Sequence, residues 1–191
     1  MGSGYVCVVS GLPRSGTSLA MALLQAGGML VFSDGIRQAD LDNPNGYFEY
    51  SGTRSLQSDN AWIYHSVGKA VKVISPLLRF LPSDLHYRIV FMRRNMREIC
   101  LSQEQMLRRR GHTVGKNPGQ IAEIMRAHIA QVEIWLSEQN NMSVCYMDYE
   151  WIVENSVAAS SRLVQFAQLQ GDPIRMAEVV DKNLYRQKVT G

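Results

Sequence analysis

Residues 11–18, Gly11-Leu12-Pro13-Arg14-Ser15-Gly16-Thr17-Ser18, stand between an apolar run and a helix-forming segment. Val6-Cys7-Val8-Val9 is continuously apolar, which suits a strand buried on both faces, as in a parallel sheet. Ser18 to Ala26 favours helix, and Gly27-Gly28 ends it. Strand, glycine loop and helix in that order commit the chain to layered α/β packing. The same order makes an anion cradle, because loop N–H groups and a helix N-terminus can converge on one charge. Arg14 adds a fixed positive charge. Thr17 and Ser18 add hydroxyl donors and are expected to cap the helix. Pro13, Ser15 and Gly16 complete the expected binding loop.

The rest of the chain repeats the alternation. Met29–Phe32 reads as a weak second strand, Ala70–Ile74 as a third, Arg88–Met92 as a fourth and Ser143–Met147 as a fifth. Helices are expected over about 52–59, 96–110, 118–139, 156–169 and 173–180. Residues 33–46 are polar and read as a long surface loop, and 111–119 as a shorter one. No internal repeat or interdomain linker interrupts the pattern. The expectation is one domain over 1–191, a three-layer α/β/α sandwich on a mostly parallel sheet, of P-loop nucleotide-binding type.

Charge narrows the partner. The formal net charge is +3, too small for a general nucleic-acid surface. Its basic residues are 15 Arg against only 5 Lys, and Arg suits bidentate anion recognition. Between Arg88 and Arg110 stand seven Arg against Glu98 and Glu104, a local balance of +5. Cys7, Cys100 and Cys145 lie far apart in apolar stretches and read as free thiols, which fits a reduced, cytoplasmic setting. Neither a membrane span nor a signal peptide is apparent, and no metal-ligand spacing occurs.

The fourth strand runs into Arg93-Arg94-Asn95-Met96-Arg97, and Ser102 lies in the helix that follows. Arg94 would sit at a strand's carboxyl end, where open α/β sheets bind ligands, and chain reversal can bring Ser102 to it. One Arg and one hydroxyl then make a second anion site. The Gly11-x-x-x-x-Gly16 spacing resembles a nucleotide-triphosphate P-loop, but Thr17 stands where that motif has Lys. Two separated anion sites imply a ligand with phosphates at two positions.

These two motifs together resemble the sulfotransferases that use 3′-phosphoadenosine 5′-phosphosulfate (PAPS). Residues 11–18 are similar to their 5′-phosphosulfate loop, with Arg14 where many members have Lys. Arg94 through Ser102 is similar to their 3′-phosphate motif, with Met96 in place of a frequent proline. Asn43-Pro44-Asn45-Gly46-Tyr47-Phe48-Glu49 and residues 180–186 also resemble compact bacterial members. The resemblance implies PAPS as cofactor, 3′-phosphoadenosine 5′-phosphate (PAP) as product, no metal, and sulfuryl transfer to a hydroxyl or amine. Two departures stand out. Lys72-Val73-Ile74-Ser75-Pro76 has Ile74 where cytosolic members carry a catalytic His, and the family's glycine-rich C-terminal cofactor motif is absent.

With that His gone, Glu49 becomes the expected base, because membrane-type members use a Glu in the corresponding segment. Its aromatic neighbours Tyr47, Phe48 and Tyr50 would give it an apolar setting that strengthens a base. Arg14 would stabilise charge on the leaving oxygen, and Lys72 would touch the reacting sulfate. Asp34 and Asp40 are weaker rivals to Glu49, and Arg108-Arg109-Arg110 ends a solvated helix or adds contact with the 3′-phosphate side or an anionic acceptor. The aromatic segment 46–66 would face a small-molecule, sugar or lipid acceptor; oligomer formation is left open. Two alternatives remain: a P-loop kinase or NTPase with a metal on Asp148, and a non-catalytic PAPS or PAP binder.

Overall fold

The computed structural model describes residues 4–40, 43–44, 46–111 and 118–189. Five strands form one sheet: β1 (Tyr5–Gly11), β2 (Leu30–Val31), β3 (Lys69–Lys72), β4 (His86–Arg93) and β5 (Met142–Asp148). Their order is β2-β3-β1-β4-β5, and every pairing is parallel. The central strand β1 sets the register, with Val8 opposite Val71 on one side and Ile89 on the other. The helices are α1 (Thr17–Ala26), α2 (Met96–Arg109), α3 (Pro118–Ser137), α4 (Tyr149–Glu154), α5 (Ser156–Ala167) and α6 (Pro173–Ala177).

The apolar run of β1 is buried on both faces. Cys7 and Val9 join α1, α4 and α5 in one core through Met21, Leu24, Ile152 and Leu163. Val6 and Val8 face the opposite core, where α3 contributes Val132 and Leu136. This is the period-two alternation of a strand between two layers. Burying each such aliphatic side chain contributes about 1.5–3 kcal/mol.

Several boundaries differ from the sequence reading. β2 is only two residues long. β3 stops at Lys72 rather than Ile74, because Ser75–Phe80 forms a 3₁₀ helix with Pro76 in its first turn. The segment expected as a helix at 52–59 contains a 3₁₀ turn, Ser51–Ser55. Helix α4 follows β5 directly and was not anticipated. The last two helices end at Ala167 and Ala177. Residues 112–117 of the second loop, and Leu41, Asp42 and Asn45 of the first, lie outside the described residues.

All three cysteines are free, two of them buried. Among the described residues no helix is long and apolar enough to cross a membrane. Because the sheet is entirely parallel, the ends of β1, β3 and β4 share one edge. Gly11, Lys72 and Arg93 stand there, and their following segments build the site.

Candidate functional site

The loop after β1 depends on two glycines. Gly11 has φ +138°, and a Cβ there would meet the Met92 carbonyl oxygen at 2.6 Å. Gly16 has φ +101°, and a Cβ would lie 2.4 Å from the Tyr149 ring. Arg14 also takes a left-handed φ of 71°. Gly16, not Thr17 or Ser18, is the N-cap of α1, and no side chain caps the helix. The expected hydroxyl cap is therefore replaced by a bare N-terminus whose first-turn N–H groups suit an anion.

Ser15 corrects the sequence reading. Its N–H donates to the Leu12 carbonyl at 3.1 Å, closing the turn. Its hydroxyl is buried without a hydrogen-bond partner among the described residues and lies off the cleft. The turn that lifts Arg14 outward points Ser15 inward, so Ser15 shapes the loop rather than lining it.

Lys72 at the end of β3 is buried. Its Nζ donates to Ser18 Oγ at 2.9 Å and to the Tyr47 carbonyl. Burial lowers its pKa to about 8, with the nearby Glu49 carboxylate pulling the other way. Asn43 Nδ2 donates to the same Ser18 Oγ at 2.7 Å. With two donors on its oxygen, Ser18 must direct its own proton elsewhere.

The second motif meets the first directly. Arg14 Nε donates to Ser102 Oγ at 2.9 Å. Arg94 Nη1 donates to the Arg14 carbonyl at 3.2 Å. Arg94 Nε donates to Glu98 at 2.9 Å, in a pair whose side chains are 8% and 3% exposed. The Arg94 guanidinium also lies over the Tyr149 and Tyr185 rings, 4.4 and 5.3 Å from their centroids. Glu98 further accepts from Tyr185 Oη at 2.7 Å and the Val189 N–H at 3.1 Å. Burial, reinforced by this carboxylate, pushes the Tyr185 hydroxyl pKa upward.

Glu49 is not in an apolar setting. Arg37 Nη1 donates to its Oε1 at 2.8 Å, and both side chains are about one-third exposed. The expected aromatic surround fails because Tyr50 packs with Phe32 and Trp62 in the core. Asp34 instead accepts the Ser51 and Ile36 N–H groups, and Asp40 accepts the Tyr47 hydroxyl. His65 is exposed. Arg108 pairs with Glu104 in the helix's last turn, while Arg109 and Arg110 line the cleft.

One cleft of about 680 Å³ brings these groups together. Pro13, Arg14, Gly16, Thr17, Ser18, Glu49, Lys72, Arg94 and Ser102 all line it, as does Ile74. Asn43, Arg37 and Tyr149 line the cleft as well, and Glu98 and Tyr185 hold Arg94; the sequence reading assigned no site role to these five. The spacing of four between Arg94, just before α2, and Glu98 in its first turn was a usable signal; Arg37, twelve residues from Glu49 in a loop, offered none.

No protein-family model and no curated protein matches this sequence. Solved structures do match the fold. The sulfotransferase domain from the curacin biosynthetic pathway superposes with a TM-score of 0.54 at 14% identity, over 97% of this chain and 92% of that one. Mouse sulfotransferase SULT7A1 complexed with PAP gives 0.58 at 14% identity, over 94% and 63%. Retinol dehydratase in complex with androsterone and the inactive cofactor PAP gives 0.52 at 14% identity, over 94% and 64%. The chain thus spans slightly under two thirds of the last two. In fold, it matches the PAPS-dependent sulfotransferases.

Proposed function

We propose that residues 1–191 form one sulfotransferase domain that moves a sulfuryl group from PAPS to a hydroxyl or amine acceptor. The observation that carries this is the Arg14–Ser102 bond, reinforced by Arg94 on the Arg14 carbonyl. An uncapped helix N-terminus and an Arg/Ser pair on one cleft support binding of a ligand with phosphates at two positions. Free thiols at all three cysteines support a reduced, cytoplasmic setting.

The residues fit that group by their donors. The bound nucleotide supplies the sulfuryl group and an adenosine bisphosphate leaving group. The α1 N-terminus, Thr17 and Ser18 hold its 5′ side, and Ser18 aims its proton inward because its oxygen is already taken. Ser102 and the remaining Arg94 Nη2 hold the 3′ side. Arg14 and Lys72 place positive charge where negative charge grows on the departing oxygen. Glu49 keeps Oε2 for an acceptor proton while Arg37 fixes Oε1.

Thermal-shift measurements test the nucleotide site. PAP without Mg²⁺ at a hundred times its Kd stabilises by about 2.7 kcal/mol. For a chain of this size that raises Tm by on the order of 5–10 °C. Selective stabilisation by Mg·ATP would transfer the assignment to a kinase or NTPase. That reading places a metal on Asp148, yet Asp148 is exposed and does not line the cleft. PAP binding without transfer to any acceptor, followed by mass detection, would leave a non-catalytic binder.

A further inference from the structure

The acceptor side of the cleft is an arginine wall. Arg37, Arg54, Arg109 and Arg110 line it, against the carboxylates of Glu49 and Asp40. Two of these arginines, Arg37 and Arg110, are joined by a chain of contacts. Arg110 lies 3.5 Å from Asp40, the Tyr47 hydroxyl donates to Asp40 at 2.7 Å, Arg37 stacks 3.3 Å above the Tyr47 ring, and Arg37 pairs with Glu49 at 2.8 Å. Arg37, Arg54, Arg109 and Arg110 share the cleft lining with Glu49, so guanidinium groups outnumber carboxylates there.

Of the aromatic residues in segment 46–66, Tyr47 lines the cleft but lies under the Arg37 guanidinium, and the others are elsewhere. Phe32, Tyr50 and Trp62 pack on one another with centroids 4.8–5.8 Å apart, against the core. Tyr64 is exposed and bonds Asp84. Phe48 does not line the cleft. Ile74, Leu77, Leu19 and Met106 are apolar members of the same lining.

The geometry points to a small hydroxylated acceptor that itself carries an oxyanion: a carboxylate, sulfate or phosphate group held by Arg54, Arg109 and Arg110 while its hydroxyl reaches Glu49. The planar guanidinium fork matches such groups bidentately. In the transfer the acceptor O–H proton passes to Glu49 Oε2, the oxygen bonds the sulfur, and the sulfur–oxygen bond to the nucleotide's 5′-phosphate breaks, releasing PAP. This inference rests on the nucleotide reading above.

Matched acceptor pairs test it: methyl glucoside against methyl glucuronide, phenol against 4-hydroxybenzoate, and glycerol against glycerol phosphate. Each is offered to protein with PAPS for transfer and to protein with PAP for calorimetric binding. The expected result is at least a tenfold preference for one or more anionic members, weakened by added salt. Arg54→Ala should reduce that preference about tenfold while leaving PAP affinity unchanged, and the matched acid identifies which oxyanion is taken. Equal use of neutral and anionic members, or a preference that Arg54→Ala does not alter, overturns the inference and leaves the nucleotide site standing. If PAP fails to stabilise wild type, the nucleotide reading falls first and this one with it.

Discussion

Arg14 Nε reaches Ser102 Oγ at 2.9 Å across 88 residues of sequence. The bond joins the glycine loop after β1 to the helix after β4, so the two proposed anion sites are not independent. Ser102→Ala removes the acceptor that aims Arg14 and the donor proposed for the 3′-phosphate. A hydrogen bond to a charged group contributes about 1.5–3 kcal/mol. The PAP Kd should rise roughly tenfold to a hundredfold by calorimetry, with Tm of the free protein little changed. An unaltered Kd would detach Ser102 from the site.

Glu98 is a buried carboxylate holding Arg94, Tyr185 and the Val189 N–H together. Removing one partner of a buried pair leaves an uncompensated charge, at a cost of about 3–5 kcal/mol. Glu98→Gln keeps the shape and discards the charge, so it should lower Tm by on the order of 10 °C. It should also loosen residues 181–189, read as faster amide exchange there. Rapid exchange without a Tm change would mean that the tail, not Arg94, is what Glu98 supports.

Two glycines separate backbone strain from crowding. Gly16 (φ +101°) would place a Cβ against Tyr149, whereas Gly28 (φ +90°) has nothing within 4 Å. Gly28→Ala should cost about 1–2 kcal/mol for the left-handed backbone alone. Gly16→Ala should cost clearly more and also weaken PAP binding, because Tyr149 stacks under Arg94. Equal losses in chemical denaturation would show that Tyr149 yields freely.

Much of this was legible in the sequence, for definite reasons. The β1 run and the glycine loop read correctly because continuous burial and positive φ demand specific residue types. Arg94 and Ser102 line one cleft, but they do not meet each other: Ser102 bonds Arg14 and Arg94 bonds Glu98, contacts that no spacing in the sequence specifies. Ser15 misled, because whether a loop hydroxyl faces core or cleft turns on the φ of Arg14 and Gly16. Tyr50 and Trp62 misled for a similar reason: aromatic residues in an irregular segment serve as core as readily as binding surface. Arg37 beside Glu49 was invisible, since a loop carries no periodicity linking residues twelve apart.

Burial lowers Lys72 from an ordinary 10.5 to about 8. Between those values the unfolded chain holds a proton that the folded chain has released, so stability rises with pH. Below about 8 the folded protein carries the full cost of a buried charge. Lys72→Met removes this dependence. Relative to that variant, wild type should gain about 2 kcal/mol between pH 7 and roughly 9.5. A bound anion beside Nζ restores the charge, so PAP binding near pH 9 should take up protons, seen as a heat that varies with buffer. Binding heats independent of buffer would remove Lys72 from the nucleotide's reach.

In the proposed reaction Glu49 is the base and Arg37 its holder. Oε1 is fixed at 2.8 Å by Arg37, which is itself stacked on Tyr47. Glu49→Gln keeps the size and the Arg37 contact but cannot take a proton. It should leave PAP-induced stabilisation at wild-type level while kcat falls about 10²–10⁴-fold. Arg37→Ala should leave the carboxylate in place but unaimed, with a smaller kcat loss, and Arg37→Lys should restore part of it. The pair of results matters more than either alone. A Glu49→Gln enzyme that turns over as fast as wild type would return the acceptor proton to water or to another group. An Arg37→Ala loss equal to that of Glu49→Gln would instead make Arg37 itself the group that meets the substrate.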